Sequence, residues 1–295
     1  MTNDYTFSLE NDYKHCQSLI RQHSKSFYYA FSSLPEPDAN AVYAIYAFCR
    51  IADDAIDQAE DMKARVANLR RLEAELDAFV AGDTPEASMW RALNDVTARY
   101  EIDSSMLYAQ IKGQEMDIHF EQPESMDDLI HYSNHVAGSV GRLLLPILSD
   151  DLSQDRKRSA EKLGVAMQIT NILRDIGEDI REHGRIYVPE TLLDRYGCPV
   201  SQLEKGTIDD AFINMWEHLA VEAETLYDDF REEVIHYKQE ARLPLLVSLS
   251  VYREILNEVR SNSYDCFTKR NAVPMTRKMK IRNEESRYLK NLKDT

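Results

Sequence analysis

Apolar residues recur every three or four positions along nearly the whole chain, and no segment alternates apolar and polar residues over the length of a strand. That rhythm predicts an all-α fold. Candidate helices cover 11–31, 38–59, 62–80, 86–100, 103–120, 126–149, 155–182, 208–239, 244–270 and 275–291, joined by short loops. Pro35 and Pro37 are expected to stop one helix, with Asp38 capping the next. Ser125, with Asp128 three residues on, has the form of a helix cap. Gly184 after His183 suits a C-terminal stop, because glycine enters the left-handed region without a Cβ clash. No fixed-period repeat is apparent, so the helices should surround a common centre with room for a cavity.

Nine glycines and nine prolines, with no Ser/Gly-rich or Pro-rich stretch, leave no linker, and 1–295 reads as a single domain. The longest apolar runs, Leu143 to Leu148 and Leu243 to Leu249, fall well short of the roughly 18 to 20 residues of a spanning helix. The N-terminus lacks the basic and apolar regions of a secretory signal, so a cytoplasmic location is expected. Cys16, Cys49, Cys198 and Cys266 are scattered without zinc-site spacing and read as reduced thiols.

Lys plus Arg number 35 against 51 Asp plus Glu, a net charge of -16 that argues against nucleic acid as a partner. The balance reverses after Thr276, where Arg277, Lys278, Lys280, Arg282, Arg287, Lys290 and Lys293 face Glu284, Glu285 and Asp294. This 276–295 segment reads either as a basic helix or tail in peripheral contact with anionic lipid at the inner membrane face, or as a solvated terminal helix.

Two acidic stripes change the picture. Tyr46, Arg50, Asp53 and Asp57 share one helix face, flanked by Asp54, and Gln168, Asn171, Asp175 and Asp179 share another. One such stripe alone is ordinarily a solvated face. Beside the second, however, Val165, Ile169, Ile172, Ile176 and Ile180 form an apolar stripe that should pack on the core, so these carboxylates should border the interior. Two carboxylate stripes in a low-dielectric cavity repel unless cations lie between them. Oxygen-only ligands suit Mg2+, which bridges a few carboxylates to phosphate oxygens, and no calcium loop is present. Asp53, Asp57, Asn171, Asp175 and Asp179 are the candidate metal ligands. The implied substrate carries a diphosphate, with Arg50 and Arg174 donating to its oxygens as an allylic carbon–oxygen bond ionises.

In these motifs, and over nearly its whole length, the chain resembles the squalene and phytoene synthase family of head-to-head prenyl transferases. Asp53-x-x-x-Asp57 resembles the family's first aspartate-rich motif and Asn171-x-x-x-Asp175-x-x-x-Asp179 its second, with Asn in place of the leading Asp. His23-Ser24-Lys25-Ser26-Phe27 resembles its diphosphate-contacting segment, and 41–50 leads into the first motif as the family's does. The block 136–141, with Val136 and Gly138, resembles its glycine-bearing central helix. Arg185 and Tyr187 follow the second motif at the expected distance, and Tyr252 corresponds to a tyrosine near the second substrate.

The resemblance implies an isoprenoid-synthase helical bundle around one cavity, binding isoprenyl diphosphates with Mg2+. Magnesium-assisted loss of diphosphate gives an allylic cation, attack by a second molecule gives a cyclopropyl diphosphate, and its ionisation, rearrangement and proton loss give a conjugated triene. It implies catalytic roles for Tyr46, Arg50, Tyr132, Arg174 and Tyr252, the tyrosines shaping the polar end or mediating proton loss in competition with released diphosphate. Gln168 joins the substrate-binding set. Phe27 and Phe31, one turn apart, with Tyr43 on the next helix, are expected to narrow the tunnel and favour two farnesyl diphosphates and dehydrosqualene, in carotenoid biosynthesis. Phytoene from geranylgeranyl diphosphate and a bacterial squalene synthase are the alternatives. A terpene cyclase or head-to-tail elongator fits the stripes less closely, and an acidic helical scaffold is the non-enzymatic reading.

Overall fold

A computed structural model describes residues 2–293, with side chains described from Leu9 to Leu292; Asp294, Thr295 and the Lys293 side chain of the basic tail lie outside the described residues. Among the described residues there are α-helices and short π and 3-10 turns and no strand. The helices are α1 (Thr2–His23), α2 (Lys25–Phe31), α3 (Glu36–Asp57), α4 (Met62–Val80), α5 (Ser88–Arg99), α6 (Ser104–Ile118) and α7 (Met126–Ser133). They continue as α8 (Ser139–Leu148), α9 (Gln154–Glu178), α10 (Glu190–Tyr196), α11 (Val200–Glu204), α12 (Asp210–Glu233), α13 (Gln239–Ser261) and α14 (Met275–Lys293). None of them is long and apolar enough to cross a membrane.

The all-α expectation holds, and the departures from the expected boundaries are local. The 11–31 helix breaks at Ser24, whose φ of -137° leaves the helical region. Serine competes with the backbone for hydrogen bonds and tolerates such breaks. Pro37 does not stop a helix but sits in the first turn of α3, where its missing N–H costs nothing. Asp38 is therefore not the cap, and accepts instead from the Tyr100 hydroxyl at 2.5 Å. The Ser125–Asp128 box forms as expected, and Gly184 takes φ 65°.

Helices α10 and α11, framed by Pro189, Pro199, Gly197 and Gly206, were not expected. The expected 244–270 helix ends at Ser261. Ser263 and Tyr264 then take positive φ, and residues 262–274 form a long loop rather than a short one.

α9 is the central helix, packed by α8, α12 and α13. Its apolar stripe is buried through Val165, Ile169, Ile172 and Ile176, and Trp216 of α12 donates to the Leu173 carbonyl at 3.1 Å. A π-turn at Asn134–Gly138 joins α7 to α8 and runs close against α9. A Cβ on Gly164 would lie 2.2 Å from the Ala137 carbonyl oxygen, and one on Gly141 would lie 2.1 Å from that of Ala160. Only glycine permits these backbones to approach so closely, and the approach fixes one wall of the cavity.

Gly164→Ala should therefore destabilise the protein by about 1–3 kcal/mol through overpacking against backbone that cannot rotate away. The midpoint of urea unfolding measures it; an unchanged midpoint would mean that the π-turn moves freely.

Candidate active site

The helices enclose a cavity of about 730 Å³ with a polar head and apolar walls. α3 supplies Tyr46, Arg50 and Asp53 to the head, and α9 supplies Gln168, Asn171 and Arg174. The break at Ser24 lets His23, Ser24, Lys25 and Ser26 line it together, followed by Phe27 and Phe31. Val136, Tyr132 and Tyr252 complete the expected residues found in its wall.

Each carboxylate stripe carries arginines of its own. Arg50 Nη1 donates to Asp53 at 2.9 Å and its Nη2 to Asp54. Arg174 forms a fork with Asp175, its Nε donating at 2.8 Å, and Arg270 stands 3.6 Å from the same carboxylate. Buried Arg185 lies between the stripes, 3.6 Å from Asp57 and 3.6 Å from Asp117. Asp117 accepts from Tyr187 at 2.9 Å and from Tyr132 at 3.1 Å, and these two rings stack at 5.0 Å.

The charges remain undercompensated. Burial, reinforced by the carboxylate of Asp57, pushes Asp53 up to about 7. Its side chain keeps 39% of its surface, because it faces the cavity, yet the surrounding walls still desolvate it. Burial, reinforced by Asp175 and Glu178, pushes Asp179 up to about 8. Asp117 is also raised, by burial first, with Arg185 and the two tyrosines pulling it back.

These observations test whether Mg2+ fits. The donors are all oxygen, and the raised carboxyls mark a site short of positive charge. Among the described residues, no three His, Cys, Asp or Glu side chains gather as a metal cage. Magnesium ordinarily takes one or two carboxylates and completes its shell with water and substrate phosphate, so the residues fit it in that manner.

Burial raises the phenols of Tyr46, Tyr132 and Tyr252 above their ordinary value. They stay protonated at neutral pH and present their hydroxyls as hydrogen-bond donors.

Several expected residues stand elsewhere. Tyr43 is not among the residues that line the cavity: it is buried and packs on Tyr28, ring centroids 5.9 Å apart and planes tilted by 34°. Gly138 also lies outside the lining, packed on Asn134, while its neighbours Ala137 and Gly141 reach the cavity. Asp57, Asp175, Asp179, Arg185 and Tyr187 stand behind the lining residues: Asp57 pairs with Arg185, Asp175 with Arg174, Tyr187 donates to Asp117, and the Asp179 carbonyl accepts from the Arg185 backbone N–H at 3.1 Å.

Other residues escaped the sequence reading. Gln110, Gln114 and Asp117 line the cavity from one face of α6, a buried polar stripe that the spacing of four and three residues made findable. Arg270 and Asn271 come from the 262–274 loop, which the expected helix concealed. Lys278, assigned to the basic tail, is instead 6% exposed, lines the cavity, and is held below the usual lysine range by burial and by Lys25. Arg277 is likewise withdrawn from the surface set, donating to Glu254 at 2.6 Å.

A sequence model described as squalene/phytoene synthase matches residues 20–277. The chain is 36% identical over 287 residues to a 4,4'-diapophytoene synthase of Staphylococcus haemolyticus, covering 95% of this chain and 99% of that protein. It is 33% identical over 283 residues to a 15-cis-phytoene synthase of Synechococcus elongatus, covering 92% and 91%. A solved dehydrosqualene synthase in complex with ligand superposes with a TM-score of 0.92 at 40% identity, covering 97% of this chain and 99% of that one.

The raised carboxyls give a pH signature in metal-free protein. Between about pH 4, where an unfolded aspartate loses its proton, and the folded values near 7 and 8, the native state holds protons that the unfolded chain has released. Stability from these groups therefore falls as pH rises. The double variant Asp53→Asn with Asp179→Asn should melt higher than the parent at pH 8 in EDTA, and the gap should close towards pH 4. Parallel melting curves across that range would rule the effect out.

Proposed function

We propose that this chain, which belongs to the squalene/phytoene synthase family and is a prenyltransferase, joins two farnesyl diphosphates head to head to give dehydrosqualene, with Mg2+ as cofactor. The observation that carries the reading is the polar head of a cavity with apolar walls, where Tyr46, Arg50 and Asp53 of α3 line the same space as Gln168, Asn171 and Arg174 of α9. The phytoene-forming alternative is less supported, since the diapophytoene and dehydrosqualene synthases are the more similar of the relatives compared.

In this reading Asp53 and Asp57 on one side, and Asn171, Asp175 and Asp179 on the other, hold magnesium, which when bound supplies positive charge beside the departing diphosphate. Arg50, Arg174, Arg270, Lys25 and Lys278 bind diphosphate oxygens, and the Ser24 and Ser26 hydroxyls donate to them. The first diphosphate leaves with the carbon–oxygen electron pair. The double bond of the second farnesyl group attacks the allylic cation, and loss of one proton closes the cyclopropane. Ionisation of the remaining diphosphate opens and rearranges the ring, and loss of a second proton forms the triene. The apolar walls exclude the water that would quench either cation. Protonated Tyr46 and Tyr252 line the head without competing for protons.

Purified protein given farnesyl diphosphate and Mg2+ should make dehydrosqualene with or without NADPH, and EDTA should stop it. Squalene on addition of NADPH, or a preference for geranylgeranyl diphosphate, would overturn this assignment. Asp53→Asn, Asp57→Asn, Asp175→Asn and Asp179→Asn should each lower turnover by at least about 100-fold. Near-normal product from all four would sink the two-stripe mechanism.

The insoluble product also needs a way out. Met275 and Met279, 56% and 57% exposed, stand one turn apart on α14, with Lys280, Arg287 and Lys290 exposed on the same helix. Lys278 on that helix lines the cavity. This cationic, partly apolar face is proposed to meet anionic lipid beside the cavity. Replacing both methionines with Ser and the three cations with Gln should abolish co-sedimentation with anionic vesicles at low salt; unchanged sedimentation would leave α14 as a solvated helix.

A further inference from the structure

α6 presents three polar residues to the cavity, Gln110, Gln114 and Asp117. Two of them are engaged within the protein. Gln110 Nε2 donates to the carbonyls of His135 and Val136 and to Ser139 Oγ at 2.6 Å. Asp117 accepts from Tyr132 and Tyr187 and faces Arg185 at 3.6 Å. Gln114 differs from both. It is only 5% exposed, yet its side-chain amide makes no hydrogen bond among the described residues, and neither Oε1 nor Nε2 is closed off by the packing. The space to which this amide opens is the cavity that the residue lines. Buried amides are ordinarily satisfied by the protein, so one left open in a substrate cavity is reserved for what enters it.

Its place along the cavity follows from α6. Asp117 stands beside the polar head, since its carboxylate bears on that of Asp53. Asp103 at the start of α6 is tied through Arg142 to Glu161, well before Asn171 on α9, so the direction from Asp117 towards Gln110 leads away from the head. Gln114 lies three residues along that direction, about 4.5 Å at 1.5 Å per residue. With a diphosphate in the head, the amide is level with the first carbons of the attached chain.

A hydrocarbon chain offers the amide no hydrogen bond, so beside an uncharged substrate Gln114 is an uncompensated polar group and carries a cost. Ionisation of the carbon–oxygen bond changes this. Positive charge then appears on carbon opposite a free carbonyl dipole, in a low-dielectric space where their attraction is strong. An interaction absent from the ground state and present in the transition state raises kcat and leaves affinity nearly unchanged. A neutral amide also adds nothing to the carboxylate repulsion at the head, as another Asp or Glu would.

We propose that Gln114 is a catalytic residue whose carbonyl oxygen stabilises the cation formed when the cyclopropyl diphosphate ionises. This rests on the reaction proposed above. The second cation depends on the wall more than the first, because no incoming double bond consumes it and it must persist while the ring rearranges. No bond forms to Gln114. The diphosphate leaves with the carbon–oxygen electron pair, the carbon skeleton carries the charge, and the proton finally lost passes to the released diphosphate.

Gln114→Met keeps the length and unbranched shape of the side chain and removes the carbonyl. With farnesyl diphosphate and Mg2+, the ratio of released cyclopropyl diphosphate to triene should rise at least about tenfold, a ratio independent of the fraction of enzyme folded. Gln114→Leu should shift it in the same direction. Supplied with the cyclopropyl diphosphate itself, Gln114→Met should lose at least about tenfold in kcat with KM within about threefold, whereas a residue that only fills the wall would move neither the ratio nor this split. The direct measurement is binding of an ammonium analogue, with nitrogen at the cationic carbon, in the presence of Mg2+ and inorganic diphosphate. Its Kd should weaken about tenfold in Gln114→Met while that of a neutral hydrocarbon of the same shape stays constant. A product ratio unchanged within about twofold in both variants, or ammonium binding unchanged within about twofold, overturns the proposal. A parent enzyme that makes no triene from farnesyl diphosphate overturns the proposed reaction instead, and the ammonium measurement still decides whether Gln114 faces a cation.

Discussion

The structure depends on how negative charge is held in a low-dielectric interior. Burial raises Asp53, Asp117 and Asp179, and the Asp117 carboxylate adds to the rise of both Asp53 and Asp179. In the protein alone, Arg50, Arg174, Arg185 and Arg270 supply the compensation. The compensation is partial, which is why two carboxyls remain near neutrality in their protonation. A site in this condition is poised to take up a further cation, and the arginines released from their carboxylates become available to an anion. The same imbalance thus favours a divalent metal and a diphosphate together, and either of them much less by itself.

That charge balance requires the helices to stand at fixed distances, and small residues set them. Gly141 and Gly164 bring the α8 region onto α9 with backbone contacts that no Cβ would allow. Gln110 of α6 donates to the carbonyls of His135 and Val136 at 3.1 and 2.8 Å, satisfying groups that the π-turn releases. Packing and hydrogen bonding therefore agree on one position for the wall that faces the carboxylates. The Asp117 cluster is carried on the same α6, so its place between the stripes follows from that packing.

The helical periodicity and the two acidic stripes were legible because both are local: spacing along a helix determines which residues share a face. Asp53 and Asn171 lie in the cavity head as their stripes required, and the apolar companions of the second stripe are buried. What periodicity could not convey was where a helix fails. Ser24 breaks a helix whose neighbours on both sides fit the pattern, and the loop from 262 begins with Ser263 and Tyr264 in a left-handed conformation that their side chains do not advertise. Lys278 was misread for a different reason, since a lysine in a basic stretch looks solvated until the fold of α14 against α13 buries it. Tyr43 was misplaced because an aromatic residue on a core helix is equally suited to packing and to lining a tunnel.

These two kinds of residue divide the site in a way that has physical sense. The carboxylates proposed to hold metal lie on α3 and α9 or at the turn that ends α9, which are long and packed on several sides, so their separations are stiff. Several proposed diphosphate contacts lie at interruptions: Lys25 just after the Ser24 break and Arg270 in the 262–274 loop, tied to Glu178 at 3.1 Å. Metal coordination tolerates little variation in ligand geometry, whereas long cationic side chains adapt to an anion at modest cost. A cavity that must hold a diphosphate first on an allylic carbon and then on a cyclopropyl carbinyl carbon needs both properties at its head. The apolar end needs neither, and there side chains such as Leu144, Leu145, Leu148, Leu163 and Leu245 on continuous helices fill space.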